Sequence, residues 1–123
     1  MNNQTPKNIF IVEDEMIIAL MLEQMVKNLG HKVIGKVMSG EEAIESALRL
    51  KPDLILMDIR LKGEMDGIQA MAEIRKKINI PVIFITGNTD NYYKERIQES
   101  EYMGFLTKPV TLHDLSRSFT FAS

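Results

Sequence analysis

The chain has 123 residues, of which 45% are hydrophobic and 26% charged, with a net charge of −2 and no cysteine. These totals fit one compact domain with a single core and exclude disulfides and thiolate metal sites; no apolar run approaches the roughly 20 residues that cross a bilayer. The acidic balance argues against a protein whose main work is holding nucleic acid, which needs a basic face.

Residues 1–7 are polar, lack the hydrophobic stretch of a secretion signal and are expected to form a flexible N-terminus. A reducing cytoplasm is the simplest compartment for such a chain. The first apolar run is Ile9-Phe10-Ile11-Val12. After it, Ile18, Leu22, Met25 and Leu29 recur three or four apart, a stripe along a helix ending at Gly30. A second run, Lys32 to Val37, contains Gly35 and Lys36 and belongs at a sheet edge. Ser39-Gly40-Glu41-Glu42 reads as a capping box, opening a helix that buries Ala43, Ala47 and Leu48 and stops before Pro52. The third run is Leu54-Ile55-Leu56-Met57, and Asp66 is placed to cap a third helix carrying Ile68, Met71, Ala72 and Arg75. Val82-Ile83-Phe84-Ile85 is the fourth run, followed by a less apolar helix over Thr89 to Ser100. Met103 to Leu106 is the fifth, and Thr111 can cap a last helix with Leu112, Leu115 and Phe119 on one side.

Runs one, three and four are apolar at every position, as in parallel strands covered on both faces. Five βα units in series predict a single α/β domain over residues 1–123, with right-handed crossovers and helices on both faces of a five-stranded parallel sheet. Ligands of such sheets bind outside the carboxyl ends of the strands. Glu13 and Asp14 follow the first run, Asp58 the third, Thr86 the fourth, and Lys108-Pro109 the fifth. Any one of these has a bland explanation, because chains leaving a core often turn polar. All of them, each at the matching strand end, converge on one edge. Three carboxylates so close repel one another unless a cation sits among them, and hard oxygen ligands suit Mg²⁺ or Mn²⁺. A hydroxyl and an ammonium beside that metal could receive the oxygens of a phosphoryl group.

The acidic pair, the strand-end Asp in "LILMDIRLKGEMDG", the Thr in "VIFITGN" and the "GFLTKP" segment resemble the receiver domain of two-component response regulators, in order and spacing over about the whole chain. The resemblance implies a doubly wound, flavodoxin-like (βα)₅ fold with strand order 2-1-3-4-5. It implies that Asp58 accepts a phosphoryl group from a sensor histidine kinase or a phosphotransfer protein. Asp14, Asp58 and the backbone carbonyl of Arg60 would bind the metal, with Glu13 acting nearby through water. Thr86 and Lys108 would engage the phosphoryl group, and Phe105 would turn inward on activation. The Lys108–Pro109 bond would be cis, an arrangement nearly confined to proline. Arg60 and Asn88 would flank the phosphoryl group and tune its lifetime.

The resemblance further implies a regulatory domain, not an enzyme. Its phosphorylation would alter the surface of helix 4, strand 5 and helix 5, to control an output domain or partner, with dimerisation on phosphorylation as an option. No direct contact with nucleic acid or membrane is expected. Two features depart from the family pattern. Lys62-Gly63 stands where a proline and a loop one residue shorter are usual, and Gly87 follows Thr86 where Ala is commonest. The competing function is a Mg²⁺-dependent phosphohydrolase working through an aspartyl phosphate. Such enzymes usually carry a second Asp two residues after the nucleophile, where this chain has Arg60. A third possibility is a phosphate-independent interaction module on the same fold.

Overall fold

Five segments rich in Ile, Val, Leu and Phe pair as parallel strands in a computed structural model of the chain, which describes residues 5–87, 95–98 and 104–122. They are β1 (Asn8–Val12), β2 (Lys32–Val37), β3 (Leu54–Asp58), β4 (Val82–Thr86) and β5 (Gly104–Thr107). The helices are α1 (Met16–Asn28), α2 (Gly40–Leu50), α3 (Gly67–Arg75), a helical turn at residues 95–98 (α4) and α5 (Leu112–Ala122). The sheet order is β2-β1-β3-β4-β5, with β2 at the edge its polar residues predict.

Strand alternation sorts the apolar side chains of the sheet onto two faces. Phe10, Val12, Ile55, Met57, Val82 and Phe84 pack with Ala43 and Ala47 of α2, with Ile68, Met71 and Ile74 of α3, and with Ile97 of α4. Ile9, Ile11, Leu54, Leu56, Ile83 and Ile85 pack with Ala19, Leu22 and Val26 of α1 and with Leu115 and Phe119 of α5. Each large apolar side chain fully buried here contributes roughly 1.5–3 kcal/mol, so the central strands are the rigid frame from which the loops project.

The helices differ from their predicted faces in places. The buried line of α1 is Ala19, Leu22 and Val26, with Ile18, Met25 and Leu29 half-buried beside it. In α2, Leu48 is half-buried while Ser46 is buried. Ser39 Oγ caps the Glu42 N–H at 3.2 Å, but the Glu42 carboxylate takes the Ser39 hydroxyl at 3.0 Å rather than its backbone N–H, so the box is incomplete. In α3, Ala70 and Ile74 are buried and Ala72 is exposed. In α5, Thr111 Oγ1 caps the Asp114 N–H at 3.1 Å and Leu115 and Phe119 are buried, whereas Leu112 lies in the solvent. The first residue of α5 therefore presents a large apolar side chain outward, because the buried stripe begins one turn later at Leu115.

Of the N-terminal stretch, Lys7 is tied down: its N–H donates to His31 Nδ1 at 2.9 Å and its carbonyl accepts from the Lys32 N–H at 3.0 Å. His31, which sequence context suggests is a surface or edge residue, is buried, edge-on to Phe119 with ring centroids 5.0 Å apart. Among the described residues no helix is long and apolar enough to cross a membrane.

Candidate functional site

By the strand period, Glu13 and Asp58 continue the series of Ile11 and Leu56, while Ile59 follows Met57 into the other core cluster. Both acids are nearly sealed from solvent, Glu13 at 1% and Asp58 at 3% exposure. With half-buried Asp14 they offer carboxylate oxygens that all lie within 4.8 Å of one another. Lys108, just after β5, reaches back over them. Its Nζ is 3.1 Å from Asp58 Oδ2 and 3.2 Å from Glu13 Oε1. The Glu15 N–H donates to Glu13 Oε2 at 3.1 Å. Glu13 Oε1, close to the ammonium but poorly aligned with it, accepts no hydrogen bond among the described residues.

One ammonium faces three carboxylates, and the proton affinities register the imbalance. Burial, reinforced by the charge of Asp58, pushes the Glu13 carboxyl up to about 7. Burial also raises Asp58, in spite of the hydrogen bond from Glu13 and the pull of Lys108. Burial disfavours the charge of Lys108, but Asp58 and Glu13 more than offset it and hold its ammonium above the ordinary range. Surplus negative charge in a poorly solvated place raises acids and bases alike. A buried carboxylate oxygen without a donor, beside two further carboxylates, fits a hard divalent cation.

The cleft over this cluster measures about 500 Å³ and is lined by Asp14, Asp58, Lys108, exposed Arg60 and Gly87. Thr86 ends β4 in register with Thr107, is 3% exposed, and its carbonyl accepts the Lys108 N–H at 2.9 Å. The Lys108–Pro109 peptide is cis, as the sequence leads one to expect. Phe105 on β5 is 43% exposed. The structure thus brings Glu13, Asp14, Asp58, Arg60, Thr86 and Lys108 to one strand-end edge. Asn88, the other residue expected there, lies outside the described residues, as do Tyr92 and Tyr93, which the sequence offers as a candidate partner-facing patch.

The loop from Asp58 to α3 closes tightly despite its unusual sequence. The Gly67 N–H donates to the Ile59 carbonyl at 2.7 Å, and a Cβ on residue 67 would run into the Asp58 carbonyl and lie 2.8 Å from Met57 Cγ. Only glycine permits so close an approach. Asp66 and Gln69 complete a capping box in which the Gln69 N–H reaches Asp66 Oδ1 and the Asp66 N–H reaches Gln69 Oε1, both at 2.9 Å. Gly63 takes a left-handed φ of 91°, with Glu41 beside it, and Lys62 forms a parallel bridge with Ser39. Sequence reasoning identifies Asp66-Gly67 as a helix entry but gives no sign that Gly67 rests on the backbone of Asp58. Nor does any local pattern mark the Glu15 N–H as a support for Glu13.

Comparison with known proteins agrees with this architecture. Residues 9–120 match the family described as "Response regulator receiver domain". The chain is 34% identical over 110 residues to the transcriptional regulatory protein PdtaR of Mycobacterium tuberculosis, covering 89% of this chain and 53% of that protein. It is 38% identical over 102 residues to the phyllosphere-induced regulator PhyR of Methylorubrum extorquens, covering 82% of this chain and 38% of PhyR. This chain therefore spans about half the length of such relatives, or less. Among solved structures, the signal receiver domain of a modulated diguanylate cyclase from Desulfovibrio desulfuricans superposes with a TM-score of 0.89 at 36% identity, covering 96% of this chain and 94% of that one. On sequence, topology and strand-end chemistry together, the chain belongs to the receiver domain family of two-component response regulators.

Proposed function

We propose that residues 1–123 form a phosphoacceptor switch, working in the cytoplasm, in which Asp58 takes a phosphoryl group from a phosphohistidine of a sensor kinase or phosphotransfer protein. The observation that carries this reading is the burial of Asp58 at the end of β3, 3.1 Å from Lys108 Nζ and grouped with Glu13 and Asp14 under an open cleft. An Asp58 oxygen attacks phosphorus, the P–N bond breaks, and its electron pair returns to the imidazole ring. Asp14, Asp58 and the Arg60 carbonyl, with Glu13 beside them, would hold Mg²⁺ (or Mn²⁺). When bound, that ion neutralises charge on the transferring oxygens.

Lys108, already poised over Asp58, pairs with the new phosphoryl oxygens. Thr86 moves its hydroxyl toward them, vacating space that Phe105 enters from its exposed position. The modification replaces the single charge of the Asp58 carboxylate with about two on the phosphoryl group, together with three strong acceptors, enough to bias a two-state surface. That surface, formed by α4, β5 and α5, would engage an output domain, a partner or a second copy of the chain. Arg60 and Asn88 would govern access of water to the phosphoryl group.

The competing hydrolase reading lacks its acid–base group, since Arg60 occupies that position and its side chain is exposed. Incubation with Mg²⁺ and acetyl phosphate should add one phosphoryl mass to the protein and none to Asp58→Asn. An unmodified wild type, or equal modification of the variant, would sink the proposal.

A further inference from the structure

Arg96 lies on α4, yet its guanidinium grips the residue that opens α3. Nη1 is 2.6 Å from Asp66 Oδ2 and Nη2 is 3.2 Å from Asp66 Oδ1, a bidentate pair in which both side chains are about three-quarters buried. Asp66 is itself immobilised, because its Oδ1 caps the Gln69 N–H and the adjoining Gly67 is clamped to the backbone of Asp58 and Ile59. On the other side of Arg96 in sequence, Ile97 is sunk in the core against the β3 and β4 side chains. The helical turn is therefore pinned at two points, one greasy and one ionic. The ionic one runs to Asp66, at the end of the loop that carries Asp58.

We infer that the Arg96–Asp66 pair is a latch that holds α4 in its resting position against the Asp58 loop, making Arg96 a positioning residue for phosphorylation. The inference rests on the proposed switch, and it supplies a connection separate from Thr86 and Phe105. In the proposed switch, an exposed Phe105 and a Lys108 paired with Asp58, both present here, belong to the resting arrangement, and the Arg96–Asp66 pair is closed alongside them. A fork of two charge-assisted hydrogen bonds has a fixed geometry, so a displacement of α4 that accompanies movement of Thr86 must break it. An interaction made only in the resting arrangement lowers the population of the competent one, and with it the rate at which a small donor is accepted.

Two substitutions isolate the pair. Arg96→Gln removes the fork, and Asp66→Asn removes the charge while keeping an oxygen to cap α3, since Asn is as good an N-cap as Asp. Amide hydrogen exchange at residues 95–98 of the unphosphorylated protein should accelerate in both variants, and labelling by acetyl phosphate with Mg²⁺ should quicken roughly twofold to fivefold, the range open to a partly buried ion pair. The double variant should match either single one, because the two act through one contact. Unchanged exchange at 95–98, or labelling at the wild-type rate or slower, would overturn the latch. A wild type that takes no label at all would instead refute the phosphoacceptor reading, and the exchange result would still decide whether the pair restrains α4.

Discussion

The placement of Asp58 depends on a glycine nine residues downstream, and Gly67→Ala measures how much. A methyl group at that position would overlap the Asp58 carbonyl and lie 2.8 Å from Met57 Cγ. Neither neighbour can swing aside: one is backbone at the end of a central strand, the other a fully buried side chain. Overpacking of this kind costs about 3 kcal/mol at the upper end of its range. Alanine returns up to about 1 kcal/mol through a less flexible unfolded chain, leaving a net loss of about 2 kcal/mol. In a domain of this size that corresponds to a fall in Tm of roughly 8 °C. Relief of the clash must also move either the start of α3 or the backbone of Asp58. Misplacement of a reacting group by about 1 Å costs up to about a hundredfold in rate, so Mg²⁺-dependent labelling by acetyl phosphate should fall at least tenfold. Thermal unfolding followed by circular dichroism, with labelling followed by intact mass, gives both numbers. A Tm within about 2 °C of wild type would show that the strand end yields easily and that the close approach is incidental.

Gly87→Ala provides the contrast: among the described residues its Cβ would meet nothing closer than Lys108 Cδ at 3.8 Å, so stability should be unchanged while the added methyl screens the cleft and slows loss of the phosphoryl group, read as the decay of labelled protein. Glu13→Gln and Asp14→Asn should each weaken Mg²⁺ binding by roughly tenfold or more, as replacement of metal-supporting groups does; calorimetric titration showing wild-type affinity in both would remove the metal from this cluster. His31 is held below its ordinary pKa by burial and by the charge of Lys7. An unfolded His gains its proton near pH 6.5 while the folded one resists, so its contribution to stability is intact above that pH and falls away as the pH drops below it. The Tm advantage of wild type over His31→Phe should therefore be larger at pH 7.5 than at pH 5.5; an advantage independent of pH would place the titration elsewhere.

The sheet was legible because fully buried strands announce themselves: Ile9 to Val12, Leu54 to Met57 and Val82 to Ile85 have no polar position, and Gly35 and Lys36 mark the edge strand. The strand-end acids, Thr86 and Lys108 followed from the sheet, since a parallel α/β topology dictates which ends meet. Helix faces were harder. Ala72 and Leu112 fit an apolar stripe by spacing, yet the crossing of each helix over the sheet decides which flank is buried, and crossing angles are not encoded in spacing. His31 was misjudged for a related reason. Its burial comes from α5, the segment most distant in sequence, whose Phe119 closes over it. Contacts between remote segments, such as Arg96 with Asp66 and Lys108 with Glu13, leave no local trace at all.

The loop after Asp58 shows how an extra residue is absorbed without disturbing the site. Two anchors flank the departure from the family pattern. On the near side, the Ile59 N–H donates to the Ile85 carbonyl at 3.0 Å, extending the hold of β4 one residue past Asp58. On the far side, Gly67 returns to the Ile59 carbonyl and Asp66 closes its capping box. The path between these anchors is free to lengthen, and it bows outward at Lys62-Gly63, where the left-handed turn at Gly63 and the bridge to Ser39 lay it against the start of α2. The consequence falls on the surface beside α3, where Glu41, Glu64 and Glu73 come to line one groove. Asp58 keeps its position because the backbone on either side of it is bonded to β4 and to α3, not because the intervening loop is short.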